Sequence, residues 1–192
     1  MLRRLYDWTL SLADHRHALP ALFLVAFVES SVFPIPPDLL MIPMILARPD
    51  RAWLIAATAM VGSVLGGLAG YAIGWGLYES VGEPVLRFYG KDVYFDQFAA
   101  TYNDYGAWAV LVAGITPFPY KVITILSGST GLNLGVFMVA SVIARGFRFF
   151  VVAALLWKFG TPIRAFIEKY LGLLFTLFVI LLIAGFYLVR FL

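Results

Sequence analysis

The amino-acid sequence predicts an all-α integral membrane protein: an inverted repeat of two re-entrant helical hairpins, each followed by a spanning helix, with an N-terminal amphipathic helix and a C-terminal spanning helix. Three observations predict it. Of 192 residues, 62% are hydrophobic and only 13% charged, with a mean hydropathy of +0.90, whereas a soluble domain carries about 25% charged residues. A proline signature occurs twice inside apolar runs, as Pro34-Ile35-Pro36-Pro37-Asp38 and as Pro117-Phe118-Pro119-Tyr120-Lys121. Sliding the chain by 83 positions superposes the two signatures, the long apolar runs that follow them, and the helix-starting residues Asp50 and Asn133.

The elements follow in order. Residues 1–18 read as an interfacial helix, with Leu2, Leu5, Trp8 and Leu12 on one side and Arg3, Arg4, Asp7 and Asp14 elsewhere. Residues 19–47 form the first hairpin. Proline lacks the backbone N–H and clashes with the preceding turn, so the chain breaks at Pro34, Pro36 and Pro37. Neither limb reaches the roughly 20 apolar residues that cross about 30 Å of hydrocarbon. Arg48 to Arg51 make an interfacial turn, and residues 52–78, free of charge, make a spanning helix. In it Gly62, Gly66, Gly70 and Gly74 form a small-residue stripe that lets a partner helix approach closely. The polar stretch 79–104 reads as a surface segment. Residues 105–130 form the second hairpin, broken at Pro117 and Pro119, and residues 133–159 and 163–191 read as spanning helices.

A hairpin does not cross and the helix after it crosses once, so the second hairpin enters from the opposite face. Arg3, Arg4, Arg16, Arg48, Arg51, Arg164 and Lys169 then share one side, against Arg87, Lys91 and Arg190 on the other. The positive-inside rule makes the first side, and the N-terminus, cytoplasmic.

Five ionisable residues fall inside apolar segments: Glu29, Asp38, Lys121, Arg145 and Arg148. A charge at the bilayer centre costs at least about 2.5–3.5 kcal/mol, so such residues are paired, wet or neutralised. Glu29 and Asp38 are the candidates for proton coupling. Arg145 and Arg148, three apart on one helix face, offer two guanidinium forks suited to a phosphate, with Lys121 and Tyr120 as further substrate contacts. The alternative is that the arginines pair internally with Glu29 and Asp38. Asp38 and Lys121, at equivalent hairpin tips, either bridge one another as a gate or each cap their own second limb. Ser127, Ser129 and Thr130 read as satisfying backbone groups.

Other classes are excluded or disfavoured. The net charge of +3 gives no case for nucleic acid, and the absence of cysteine excludes disulfides and thiolate zinc sites. His15 and His17 stand apart from any metal-ligand set, so neither metal nor cofactor is expected. No Gly-rich phosphate loop, nucleophile elbow or H-E-x-x-H occurs, which argues against an enzyme. Self-association stays open.

At Phe27-x-Glu29 with Pro34-x-Pro36-Pro37-Asp38, the glycine stripe ending Gly70-Tyr71-x-x-Gly74, and Thr116-Pro117-x-Pro119-Tyr120-Lys121, the chain resembles the DedA family, also called the SNARE-associated Golgi or VTT-domain family. The resemblance covers about residues 19–159 and is nearest to the short bacterial branch related to YqaA. It implies a bacterial inner-membrane protein with opposed re-entrant hairpins that moves lipids between leaflets. Glu29 and Asp38 match the family's embedded acids. Better-known members place arginines around the proline of the second hairpin, whereas here Gly114 and Tyr120 stand near those places and Arg145 and Arg148 come later. The expected function is a lipid flippase or scramblase, moving a polyprenyl phosphate or phospholipid with an anionic headgroup, in a proton-coupled or passive manner. A small-ion or solute transporter, or a non-transporting scaffold, is the alternative.

Overall fold

A computed structural model describes residues 17–33, 36–116 and 118–189, with side chains described through Gly160 and at Pro162. The expected N-terminal amphipathic helix, Pro34 and Pro117 lie outside the described residues. All regular structure among the described residues is helical: α1 (Ala18–Ser31), α2 (Asp38–Ala47), α3 (Ala52–Leu77), α4 (Glu83–Phe88), α5 (Asp92–Ile115), α6 (Tyr120–Ser129) and α7 (Leu134–Val189).

The chain breaks at both proline signatures, between α1 and α2 and between α5 and α6. At the first break the N–H groups of Val32 and Phe33 both donate to the Val28 carbonyl at 2.9 Å, and Ser31 Oγ turns back to the Phe27 carbonyl at 2.9 Å. These bonds satisfy donors and acceptors that the broken helix would otherwise leave open. With 14 and 10 residues, α1 and α2 rise only about 21 and 15 Å.

The packing exchanges limbs between the halves. The helix before each break lies on the long helix that follows, α1 on α3 and α5 on α7. The helix after each break packs on the other long helix, α2 on α7 and α6 on α3, while α3 and α7 pack on one another. The second limbs start at Asp38 and Tyr120 and the long helices at Ala52 and Leu134, 82 residues apart in both cases.

The glycine stripe on α3 seats both α1 and α6. A methyl group at Gly62 or Gly66 would run into the backbone of Phe23 or Phe27 on α1. One at Gly70 would meet Thr124, and one at Gly74 the backbone of Ile125, both on α6. A single helix face thus seats two backbones, which only a residue without a side chain permits.

Four boundaries differ from the sequence reading. The helix expected to stop at residue 78 runs on through a widened π turn, Tyr78–Gly82, into α4, where Pro84 takes an early position that needs no donor. Half of the expected surface segment, residues 92–104, belongs to α5, because Phe95, Phe98 and Tyr102 recur at helical spacing and lead into the buried Gly106, Val110 and Ala113. Two ends are closed as Schellman motifs, with Gly90 (φ 62°) after α4 and Gly131 (φ 65°) after α6. Asp50 does not cap α3; it lies in a 3₁₀ turn and pairs with Arg48 and Arg51, whereas Asn133 Oδ1 does accept the Val136 N–H at 3.1 Å. The separate helices expected over 133–159 and 163–191 are one helix, α7, passing through Pro162, whose fixed φ is helical even though it withholds one donor.

The interior is polar where the exterior is apolar. Arg145 is 1% exposed and Ser30, Ser63, Thr124, Ser127 and Ser141 are buried, yet Ile143 and Phe147 on the same helix as Arg145 are each 56% exposed. Large apolar residues facing outward along α3, α5 and α7 have lipid as their fitting solvent. Among the described residues, Pro49–Phe88 and Leu134–Gly160 are long and apolar enough to cross a membrane. Trp53 groups with Phe150 and Trp157, ring centroids 6.1 Å apart in both pairs, beside the charged Arg48–Arg51 turn, as an interfacial aromatic belt does.

Candidate functional site

Two apolar clusters leave a polar layer between them. One gathers Leu22, Met41, Ile45, Ile55, Ala59 and Phe149; the other gathers Val110, Ala113, Tyr120, Phe137 and Ala140. Arg145, near the middle of the Leu134–Gly160 span, joins them: its guanidinium lies 4.8 Å from the ring centroids of both Tyr120 and Phe149. Two aromatic rings within cation–π reach suit a planar, weakly hydrated cation.

The edge of that guanidinium is committed as well. Its Nε donates to Ser63 Oγ at 2.6 Å and its Nη2 to Glu29 Oε2 at 3.0 Å. Ser30 Oγ donates to the same carboxylate oxygen at 3.0 Å and lies 2.7 Å from Ser63 Oγ. Because the Ser30 proton goes to Glu29, Ser63 donates to Ser30, and the four groups close a ring in which donation runs from Arg145 to Glu29 by two routes, directly and through Ser63 and Ser30. Of the three guanidinium nitrogens, only Nη1 is buried without a hydrogen-bond partner among the described residues.

Arg148, one turn along, is held differently. Its Nη2 donates to Asp38 Oδ2 at 2.7 Å, and its Nη1 lies 3.4 Å from the Thr116 carbonyl. The two side chains are 24% and 22% exposed, against 1% and 16% for Arg145 and Glu29. Asp38 opens α2 just after the first break and Thr116 precedes the second, so Arg148 reaches a residue beside each break.

The sequence-predicted residues divide accordingly. Glu29, Asp38, Arg145 and Arg148 come together, paired with one another in two charge-assisted bonds. Lys121 does not join them. It is half-buried and makes no ion pair among the described residues, and the Asp38–Lys121 gate is replaced by Asp38–Arg148. Nor does Asp38 cap α2 with its side chain. The Tyr120 hydroxyl, expected at a ligand, instead donates to Ser141 Oγ at 2.6 Å from a fully buried position. Tyr71 donates to the Leu132 carbonyl at 2.5 Å. Ser129 and Thr130 return to backbone carbonyls, and Ser127 meets the Tyr102 hydroxyl at 2.9 Å. Sequence reasoning missed Ser30 and Ser63, which link the acid to the base. The available signal was a serine inside the glycine stripe and another beside the buried glutamate.

A broken-helix membrane protein with paired acids and arginines at its centre is the class this geometry defines. Comparison of the chain with known proteins gives the family. The VTT domain model matches residues 35–158. An uncharacterized protein of Haemophilus influenzae is 35% identical over 168 residues, covering 85% of this chain and 87% of that protein. An uncharacterized protein HI0703 homolog of Histophilus somni is 33% identical over the same shares. An uncharacterized membrane protein, ML0287, of Mycobacterium leprae is 24% identical over 77% of this chain and 65% of its own length. No solved structure matches. The chain belongs to the VTT-domain, or DedA, family of membrane proteins.

Proposed function

We propose that this protein carries a phosphate-bearing lipid between the leaflets of a bacterial inner membrane, as a flippase or scramblase without a chemical step. The observation that carries this reading is the unpartnered Nη1 of Arg145, buried mid-span where two broken hairpins bring two acids to two arginines. A guanidinium stripped of water and short of an acceptor is built for an oxyanion. Desolvation is what keeps a headgroup out of hydrocarbon, so a charge-lined path through the protein lowers the barrier while the acyl or prenyl chains stay in lipid. Proton linkage fits Asp38, which holds the Arg148 fork that a phosphate would need. In reconstituted vesicles, fluorescent phosphatidate on the inner leaflet is expected to become accessible to an external quencher only when protein is present. Exchange no faster than in protein-free vesicles, with or without a proton gradient, would overturn the reading. Competition by small anions alone would favour a solute transporter.

The exchange of limbs and the constant spacing of helix starts support an inverted repeat of re-entrant hairpins, and the distribution of Arg and Lys supports a cytoplasmic N-terminus. Single cysteines in this cysteine-free chain test that arrangement. His17→Cys and Arg51→Cys are expected to label from the cytoplasmic face, and Lys91→Cys and Asn133→Cys from the opposite face. Labelling of positions 17 and 51 from opposite faces would mean that the first hairpin crosses.

A further inference from the structure

We propose that the two buried ion pairs have separate jobs: Arg145–Glu29 is a fixed strut, and Arg148 is a releasable clasp that holds the start of α2 and the end of α5 together until an oxyanion takes its fork. This rests on the reading of the site as phosphate-binding and adds how that site opens. The contrast lies in what holds each guanidinium. Arg145 is fixed along its Nε–Nη2 edge by Ser63 and Glu29 and lies 4.8 Å from the ring centroids of both Tyr120 and Phe149, inside the closed hydrogen-bond ring. Releasing it would break that ring and lose both aromatic contacts at once. Arg148 has one charge-assisted bond, to Asp38, and one long contact with the Thr116 carbonyl, with about a quarter of its side chain exposed. A phosphate oxygen can replace the Asp38 oxygen one for one, because both present an anionic acceptor to the same fork. What such an exchange changes is mechanical. Asp38 stands at the start of α2 and Thr116 at the end of α5, so moving Arg148 onto a ligand unties both breaks together.

The division of labour also accounts for the unpaired Nη1. Arg145 can add an oxyanion there without giving up Glu29 or Ser63. The strut would therefore receive the headgroup while the clasp yields to it. The charged and titratable groups around this centre are Glu29 from α1, Asp38 from α2, Tyr120 from α6, and Arg145 and Arg148 from α7.

The test reads tip spacing, not transport. Spin labels on Phe33→Cys and Phe118→Cys flank the breaks in the full chain, reconstituted in phosphatidylcholine vesicles. A narrow distance distribution is expected in the parent. Arg148→Gln and Asp38→Asn should each shift it to longer distances and raise thiol labelling at the tips roughly tenfold, the order expected when one charge-assisted hydrogen bond is lost. The double variant should add nothing further, because both changes cut the same contact. Ser63→Ala, which weakens the strut without emptying it, should leave the distribution narrow. Phosphatidate added to the parent vesicles should reproduce the opening and diacylglycerol should not; opening by inorganic phosphate instead would assign the oxyanion to solvent. An unchanged distribution in folded Arg148→Gln, or opening by Ser63→Ala alone, would overturn the proposal. A clasp that opens in vesicles showing no lipid exchange would leave the mechanics intact and sink only the transport reading.

Discussion

Arg145→Ala is expected to abolish transport and to lower the stability of the detergent-solubilised protein by about 3–5 kcal/mol, the cost of stranding one partner of a buried ion pair. The loss has three sources in the structure. Glu29 keeps only its Ser30 hydrogen bond, Ser63 loses a donor, and the slot between Tyr120 and Phe149 empties. Lysine should recover little, since a point charge on a flexible stem does not bond Ser63 and Glu29 from one planar group beside two rings. Arg145→Met combined with Glu29→Gln is the informative control. Removing both charges eliminates the stranded carboxylate, so the double variant should unfold at a higher temperature than Arg145→Ala while remaining inactive. If the double variant transported lipid at the parent rate, Arg145 would have no part in the carrier path. If Arg145→Ala unfolded at the parent temperature, the strut would carry no structural weight.

Much of this arrangement could be read before any coordinates. The two breaks follow from proline chemistry, and the meeting of Glu29, Asp38, Arg145 and Arg148 follows from the cost of charge in hydrocarbon, which leaves few other places for them. The glycine stripe gave close packing, but not that one stripe would seat α1 at Gly62 and Gly66 and α6 at Gly70 and Gly74. That division depends on the limb exchange, a property of the whole assembly with no local signal. Which acid meets which arginine was open for the same reason. Asp38 and Lys121 are equivalent under the repeat, yet Asp38 reaches across to Arg148 because α2 packs on α7. The boundary at residue 92 was missed because Asp92, Asp96 and Asp104 make α5's opening turns look like surface, although Phe95, Phe98 and Tyr102 keep the helical stripe unbroken. Ser30 and Ser63 were missed because a hydroxyl in an apolar helix ordinarily bonds its own backbone, as Ser31 does.

Gly66→Leu is expected to have the second large effect, and it reaches the charged centre through packing alone. A β-carbon at residue 66 would overlap the Phe27 carbonyl of α1, and backbone there cannot swing aside as a side chain can. Glu29 lies two residues further along α1, so any shift that admits the new side chain pulls its carboxylate from Arg145 Nη2, now 3.0 Å away. Overpacking of this kind costs about 1–3 kcal/mol by itself, and stretching the ion pair adds to it. Gly66→Ala should already be harmful. This reverses the ordinary sign, since replacing a mid-helix glycine with alanine otherwise stabilises by roughly 0.5–1 kcal/mol. Gly76→Ala supplies the comparison within the same helix, because nothing lies within 4 Å of the β-carbon it would add. Thermal unfolding in detergent should therefore place Gly76→Ala at or above the parent and Gly66→Ala below it, with Gly66→Leu lowest and inactive in the vesicle assay. Equal midpoints for Gly66→Ala and Gly76→Ala would mean that α1 does not rest on the glycine stripe, and Glu29 would then lose the backbone contact that holds it against Arg145.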